Sequence, residues 1–263
     1  MTCVSCGSMA TAAALALVVP LIVWNGAPYV EEGGARYLVD TGASVSCARA
    51  ARGPLSETAA GVLGGASRAA GMSMPAGVDG ILGWDWIRHS AQQRVEFDLR
   101  EPGRAWLRLD EGDAGGYTQA GGFGTRALGG GQLPCLDLEL FGVSRCTALG
   151  VVDTGSPLTI VSPAASESAA LFDEQQLSDS ALPPLYTMGV DGLQTELLPK
   201  RAAGLRLGGA GAGWIEVADR KVFSAQLPMM AAAGPTDTPL ALVGLDVLGN
   251  RFALDLERGV LEM

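Results

Sequence analysis

Apolar positions along this chain fall in short runs, and two of those runs stop in the same way. Tyr37-Leu38-Val39 meets Asp40-Thr41-Gly42, and Gly150-Val151-Val152 meets Asp153-Thr154-Gly155. A short apolar run bounded by turn residues predicts a buried strand. Gly after Asp-Thr lets the chain turn where a Cβ would clash. The echo extends further. Residues 19–26 precede the first loop and residues 133–142 the second, each an apolar stretch ending in a turn signal. Gly80-Ile81-Leu82-Gly83 follows the first loop, and Ala241-Leu242-Val243-Gly244 follows the second. Each half then closes on a predicted hairpin, residues 95–99 with 105–109 around Pro102-Gly103, and residues 252–256 with 260–263 around Arg258-Gly259. The same order of elements occurs twice, which marks an internal duplication.

The duplication divides the chain into an N-terminal lobe, 17–111, a Gly-rich linker, 112–131, and a C-terminal lobe, 132–263. The linker holds nine Gly in 20 positions, a composition of flexible connections. Residues 18–26 are expected to form the first strand of lobe one, by their match to residues 134–142. The uncharged run from Met9 to Trp24 also reads as a signal-peptide core or a membrane anchor. It lacks a basic start and is short for a span of about 20 residues. Secretion and membrane association stay open at this point, and the compartment is unassigned. Residues 26–36 read as a hairpin turn. Residues 162–182 have helix-compatible spacing, broken by Pro183-Pro184, and residues 204–209 and 214–218 carry strand signals. Asp40 and Gly83 stand 43 positions apart, whereas Asp153 and Gly244 stand 91 apart. Lobe one therefore lacks something lobe two keeps. Its residues 48–77 are Ala or Gly at 15 of 30 positions, with almost no strand grammar.

Composition narrows the function. With 263 residues, 48% of them hydrophobic, the chain can bury a substantial core in each of two lobes. A net charge of −10 makes nucleic acid a poor partner. The single histidine, His89, excludes a multi-His metal site and argues against a Ser-His-Asp hydrolase. Of the five cysteines, Cys3 and Cys6 have metal or redox spacing without a second pair, and Cys135 and Cys146 flank a predicted hairpin turn across which they could meet.

The chemistry that two such loops offer is that of paired acids. An amide is a poor electrophile and water a poor nucleophile. One carboxylate can take a proton from water while a second, protonated, gives one to the carbonyl oxygen. Like charges a few ångströms apart cannot both ionise, so such a pair shares a proton. Asp40 and Asp153 are the candidates. Gly42 and Gly155 allow backbone amides to approach the carboxylates. Ser156 could hydrogen-bond Asp153, whereas Ala43 cannot do the same for Asp40. Asp85 and Asp246, each just after the second Gly of its lobe, are expected to cap a short helix.

These motifs resemble the aspartic protease superfamily. Two copies in one chain look like the bilobed pepsin type, and the short lobes with Asp-Thr-Gly-Ala and Leu-Gly-Trp-Asp-Trp-Ile look like retropepsins. The resemblance covers most of residues 18 to 263. It implies a mostly β fold of two related barrel-like lobes with a few short helices and an active site in the cleft between them. Ile81-Leu82-Gly83 and Leu242-Val243-Gly244 would pack beside the Asp-Thr-Gly loops. Thr41 and Thr154 would bond into the opposite loop and brace the dyad. The implied activity is endopeptidase cleavage of a peptide or protein substrate, by a monomer and without metal or organic cofactor. The rival is a weak or inactive homologue that binds peptides or a partner protein. The superfamily's flap, a hairpin over the cleft, would fall between Asp40 and Ile81. Residues 48–77 hold no Tyr, Trp or Phe, so a normal flap is expected to be missing, unless the sequence omits a segment there.

Overall fold

The computed structural model describes residues 17–48, 77–91, 93–101, 103–109, 116–128, 130–173, 185–188, 194–209 and 212–263. In lobe one, Leu17–Trp24, Ala27–Glu32 and Ala35–Val39 form an antiparallel meander. Gly80–Leu82 lies parallel to Ala35–Val39, with Val39 opposite Leu82, and Cys47–Ala48 pairs on its far side. Lobe two repeats the plan. Gly131–Phe141 and Arg145–Val152 form a hairpin, Leu240–Val243 lies parallel to the latter with Val152 opposite Val243, and Ile160–Val161 pairs beyond it. These central strands read as unbroken apolar runs because they are covered on both faces, as parallel-paired strands usually are.

The closing hairpins join the lobes. Arg94–Asp98 pairs with Ala105–Leu109, and Arg251–Asp255 pairs with Val260–Glu262. The hairpins meet through Arg94–Asp98 against Arg251–Asp255, in a register symmetric about Glu96 and Ala253. Phe97 faces Phe252 there, with ring centroids 4.8 Å apart and planes 13° from parallel. Both are fully buried, and such a stacked pair contributes about 0.5–1.5 kcal/mol beyond its area. Leu17–Leu21 extends this sheet on one side and Ala120–Gly122 on the other. Charges reach across the same seam. Arg94 pairs with Glu262 at 2.7 Å and Arg251 with Glu96 at 3.0 Å. Both guanidinium groups lie over the Tyr117 ring, Arg94 at 5.4 Å and Arg251 at 4.7 Å from its centroid, and its hydroxyl donates to Glu96. Buried ion pairs offset their own desolvation poorly, but removing one partner costs about 3–5 kcal/mol. The seam therefore fixes how the lobes sit together.

Several sequence expectations need correction. Residues 26–36 are more than a turn, because Ala27–Glu32 is a strand whose first four residues are buried. The structural counterpart of Gly131–Phe141 is thus Ala27–Glu32, not residues 18–26. Leu17–Trp24 corresponds instead to Ala120–Gly122 and Gly124–Leu128, which bond to Val260–Glu262 and to Gly131–Cys135. The described residues of the Gly-rich stretch read as a linker therefore include the strands Ala120–Gly122 and Gly124–Leu128. Of residues 162–182, those described, 162–173, include the helix Pro163–Ala169, with Ser162 Oγ accepting from the Ala165 N–H and Ala170 ending it at φ 48°, and residues 174–182 lie outside the described residues. Cys135 and Cys146 do not meet, since they stand opposite Val151 and Leu140, and both are free thiols. The strand signals at 204–209 and 214–218 belong to one long hairpin, Gln194–Gly209 with Gly213–Ser224. Cys3, Cys6 and residues 49–76, where the missing flap was expected, lie outside the described residues. Among those described, no helix is long and apolar enough to cross a membrane.

Candidate active site

Each Asp-Thr-Gly loop begins where its strand leaves the parallel ladder. The Asp40 N–H still bonds to the Leu82 carbonyl at 2.9 Å, and the Asp153 N–H to the Val243 carbonyl at 3.0 Å. The chain then turns back, and its own amides serve the carboxylate. Asp40 Oδ1 accepts from the N–H groups of Gly42 (2.8 Å) and Ala43 (3.1 Å). Asp153 Oδ1 accepts from Gly155 (2.9 Å) and Ser156 (3.1 Å).

Thr41 and Thr154, both fully buried, tie the loops together. The Thr41 hydroxyl donates to the Val152 carbonyl at 2.7 Å and accepts from the Thr154 N–H at 3.0 Å. The Thr154 hydroxyl donates to the Val39 carbonyl at 2.7 Å and accepts from the Thr41 N–H at 3.1 Å. Four bonds thus cross between the halves at one point. Gly42 and Gly155 are required by the same closeness. A Cβ on Gly42 would lie 2.6 Å from Asp153 Cγ, and one on Gly155 would lie 2.5 Å from Asp40 Cγ.

The carboxyl groups of Asp40 and Asp153 consequently sit side by side and hydrogen-bond to each other. Burial raises the pKa of Asp40, while its hydrogen bonds to Asp153, Gly42 and Ala43 pull it down. Burial likewise raises Asp153, and the charge and hydrogen bond of Asp40 push it further, well above the carboxylate range. The two titrate as a pair that shares one proton. The pair lines a cavity of about 320 Å³ between the lobes. Its walls are largely apolar, with Leu38 and Ile81 from lobe one and Ile160, Met229 and Leu242 from lobe two. A larger, more open depression of about 520 Å³, bordered by Arg126, Asp137 and Arg258, contains neither Asp40 nor Asp153.

The structure corrects two further readings. The Ser156 hydroxyl does not serve Asp153, because it donates to the Leu158 carbonyl at 2.6 Å. Ala43 and Ser156 give their carboxylates the same thing, a backbone N–H. Asp85 and Asp246 do not occupy the N-cap positions of Trp84–Ser90 and Leu245–Leu248, which are Gly83 and Gly244, although Asp85 accepts from the first-turn Trp86 N–H at 2.8 Å. Asp85 accepts from Ser46 Oγ at 2.6 Å, and Ser46 Oγ accepts from the Gly83 N–H at 2.8 Å. Asp246 accepts from Thr159 Oγ1 at 2.7 Å, and Thr159 Oγ1 accepts from the Gly244 N–H at 3.0 Å. In each lobe this relay fastens the chain beyond the Asp-Thr-Gly loop to the helix that follows the second glycine. His89, in the last turn of Trp84–Ser90, is exposed and is not among the cavity residues. Sequence reasoning missed Tyr29, Thr187 and Thr195, which line the cavity with the two Asp. No motif marks them.

No protein-family model matches the sequence, and no curated protein matches it. Among solved structures, the aspartic proteinase from Irpex lacteus is similar over 94% of this chain and 96% of its own, with a TM-score of 0.56 and 14% identity. The basic 7S globulin from soybean is similar over 94% of each chain, with a TM-score of 0.55 and 10% identity. At these identities the likeness is one of fold. The chain has the mostly β, two-lobed pepsin-like fold. One neighbour is named a proteinase and the other a globulin, so the activity must be argued from the site.

Proposed function

We propose that this chain is an aspartic endopeptidase in which Asp40 and Asp153 activate one water against a peptide bond. The observation that carries the proposal is the buried, hydrogen-bonded carboxyl pair, braced by four threonine bonds at the floor of a cleft. With one proton on the pair, Asp40 is the carboxylate and takes a proton from water. The water oxygen bonds to the carbonyl carbon, and the proton on Asp153 passes to the carbonyl oxygen. A tetrahedral diol results. Return of a proton to the amide nitrogen lets the C–N bond break, giving a carboxylic acid and an amine. General acid–base catalysis requires each transfer to lie within direct hydrogen-bond reach or one water of an acid oxygen, and a peptide carbonyl seated over the paired carboxyl groups meets that requirement.

The loops supply both carboxylates from one chain, so a monomer suffices. The substrate is an extended peptide or protein segment, and the carboxyl pair performs the chemistry without a metal or organic cofactor. Asp40→Asn and Asp153→Asn, each alone, are expected to lower cleavage of a mixed peptide library at acid pH by at least about a thousandfold, with the thermal unfolding transition retained. Full activity in either variant overturns the mechanism. A second reading, a peptide- or partner-binding module, has one observation in its favour, that a neighbour of equal fold similarity is named a globulin. Peptide binding with no turnover by the unaltered chain would select it.

A further inference from the structure

Three hydroxyl groups face the cleft without a hydrogen-bond partner among the described residues: those of Tyr29, Thr187 and Thr195. Tyr29 is 6% exposed, so its ring is buried and its hydroxyl opens on the cleft. A hydroxyl without a protein partner that opens into a cavity is available to bond a ligand.

The backbone explains why Tyr29 reaches the two Asp. It stands opposite Leu38 in the ladder between Ala27–Glu32 and Ala35–Val39. Directly opposite residues share a face, and Leu38 and Asp40, two apart, share it too. The Tyr29 side chain therefore rises beside Leu38 on the Asp40 side of the sheet. Its ring is held against Trp24, centroids 5.5 Å apart, and the Arg36 guanidinium covers Trp24 at 4.8 Å. Arg36 is fixed in turn by Glu31 and by the Asp79 carboxylate, which accepts from its backbone N–H. Burial raises the hydroxyl's pKa, Arg36 opposes this and Asp40 adds to it, so the group stays a donor through the acid and neutral range.

On the facing wall, Thr187 and Thr195 are directly opposed in the ladder between Leu185–Met188 and Gln194–Gly209. Their side chains lie on one face, about 5 Å apart at Cβ. They stand on a wall that is otherwise apolar, beside Leu227, Pro228 and Met229. A cross-strand Thr pair is also a common way to stabilise a hairpin, but these hydroxyls make no bond to each other.

We propose that Tyr29, on one wall, and the Thr187–Thr195 pair, on the other, hold the main chain of a peptide across Asp40 and Asp153. Tyr29 donates to a substrate carbonyl, and the threonines bond the peptide N–H and carbonyl groups on the other side. The inference rests on the peptidase reading for its ligand but concerns binding, which can be measured without turnover. The probe is a fluorescein-labelled hexapeptide bearing a secondary alcohol in place of the scissile carbonyl, with Leu side chains on either side. Tyr29→Phe is expected to weaken its binding about tenfold, and Thr187→Val and Thr195→Val about threefold each. Melting temperature should be nearly unchanged, because each substitution keeps the shape of the side chain. The Tyr29→Phe loss should persist in an Asp153→Asn background. Unchanged affinity in all three variants, with tight binding to the unaltered chain, overturns the inference and leaves the peptidase reading standing. No binding to the unaltered chain overturns both.

Discussion

Lobe one and lobe two use the same few bonds to hold an Asp in the cleft, on segments of very different length. From Asp to the second glycine takes 43 positions in lobe one and 91 in lobe two. In lobe two that interval includes the long hairpin Gln194–Gly209 with Gly213–Ser224, which folds back on Gly131–Phe141. In lobe one the described residues of the interval contribute Cys47–Ala48, paired to Gly80–Leu82. Both lobes nevertheless keep the parallel pair beside the loop, the two amides on the carboxylate, the threonine across the axis and the Asp85 or Asp246 relay. The site therefore depends on about a dozen residues per lobe, and the rest of each lobe is free to differ.

The severest test of that equivalence is to remove the first strand. Leu17–Trp24 pairs on both sides, with Ala105–Leu109 and with Ala27–Tyr29, and buries Leu21. Deleting residues 1–15 should leave a cooperatively folding chain. Deleting residues 1–26 should abolish the unfolding transition, since the loss is comparable to a whole domain stability of about 5–15 kcal/mol. A chain lacking 1–26 that still melts cooperatively would show that lobe one does not need its counterpart of Ala120–Leu128.

The threonine brace is the next test. Thr41→Val leaves the Val152 carbonyl and the Thr154 N–H without their partner, and Thr154→Val does the mirror image to Val39 and Thr41. Two buried groups stranded at about 1–3 kcal/mol each predict roughly 3 kcal/mol of destabilisation by urea titration for either variant. Equal losses sharpen the comparison. A large loss in one lobe only would mean that the brace is not reciprocal in solution.

How much of this the sequence reveals follows from what each element is made of. The Asp-Thr-Gly loops, their parallel partners and the closing hairpins are buried and locally apolar, so residue type alone marks them. Ala27–Glu32 hides among Gly, Pro and Glu, and Gly124–Leu128 among glycines, because pairing there rests on main-chain bonds that any residue can make. Asp85 and Asp246 look like caps from local spacing, whereas their partners Ser46 and Thr159 lie 39 and 87 positions away. Tyr29, Thr187 and Thr195 carry no signal, since only the tertiary pairing brings them to the cleft.

The carboxyl pair gives the comparison a pH dependence. Burial raises the folded-state pKa of both Asp40 and Asp153. A raised acid contributes stability below its unfolded value, near pH 4, and that contribution is lost as pH rises through the folded value. Asp153→Asn removes the more strongly raised acid. The variant should match the unaltered chain in stability at pH 3 and exceed it at pH 7, with a flatter profile between. Asp40→Asn should do the same to a smaller degree. Chemical denaturation at several pH values measures both, and identical profiles for the two variants would erase the difference between the lobes.

The smallest effect is the most discriminating for the first position at which the loops differ in sequence. Ser156 in lobe two stands where lobe one has Ala43, and a serine hydroxyl beside a carboxylate would ordinarily tune it. Here the hydroxyl is committed to the Leu158 carbonyl, and the contact to Asp153 is the backbone N–H, which Ala43 also supplies to Asp40. Ser156→Ala should therefore cost about 0.5–1.5 kcal/mol in stability and leave the midpoints of the pH–rate profile where they are. Replacing a tuning hydroxyl would instead move the acid limb of that profile toward higher pH, because a carboxylate that loses a donor is easier to protonate. A shift of that limb would show that Ser156 turns toward Asp153 in solution, and the two loops would then differ in chemistry as well as in sequence.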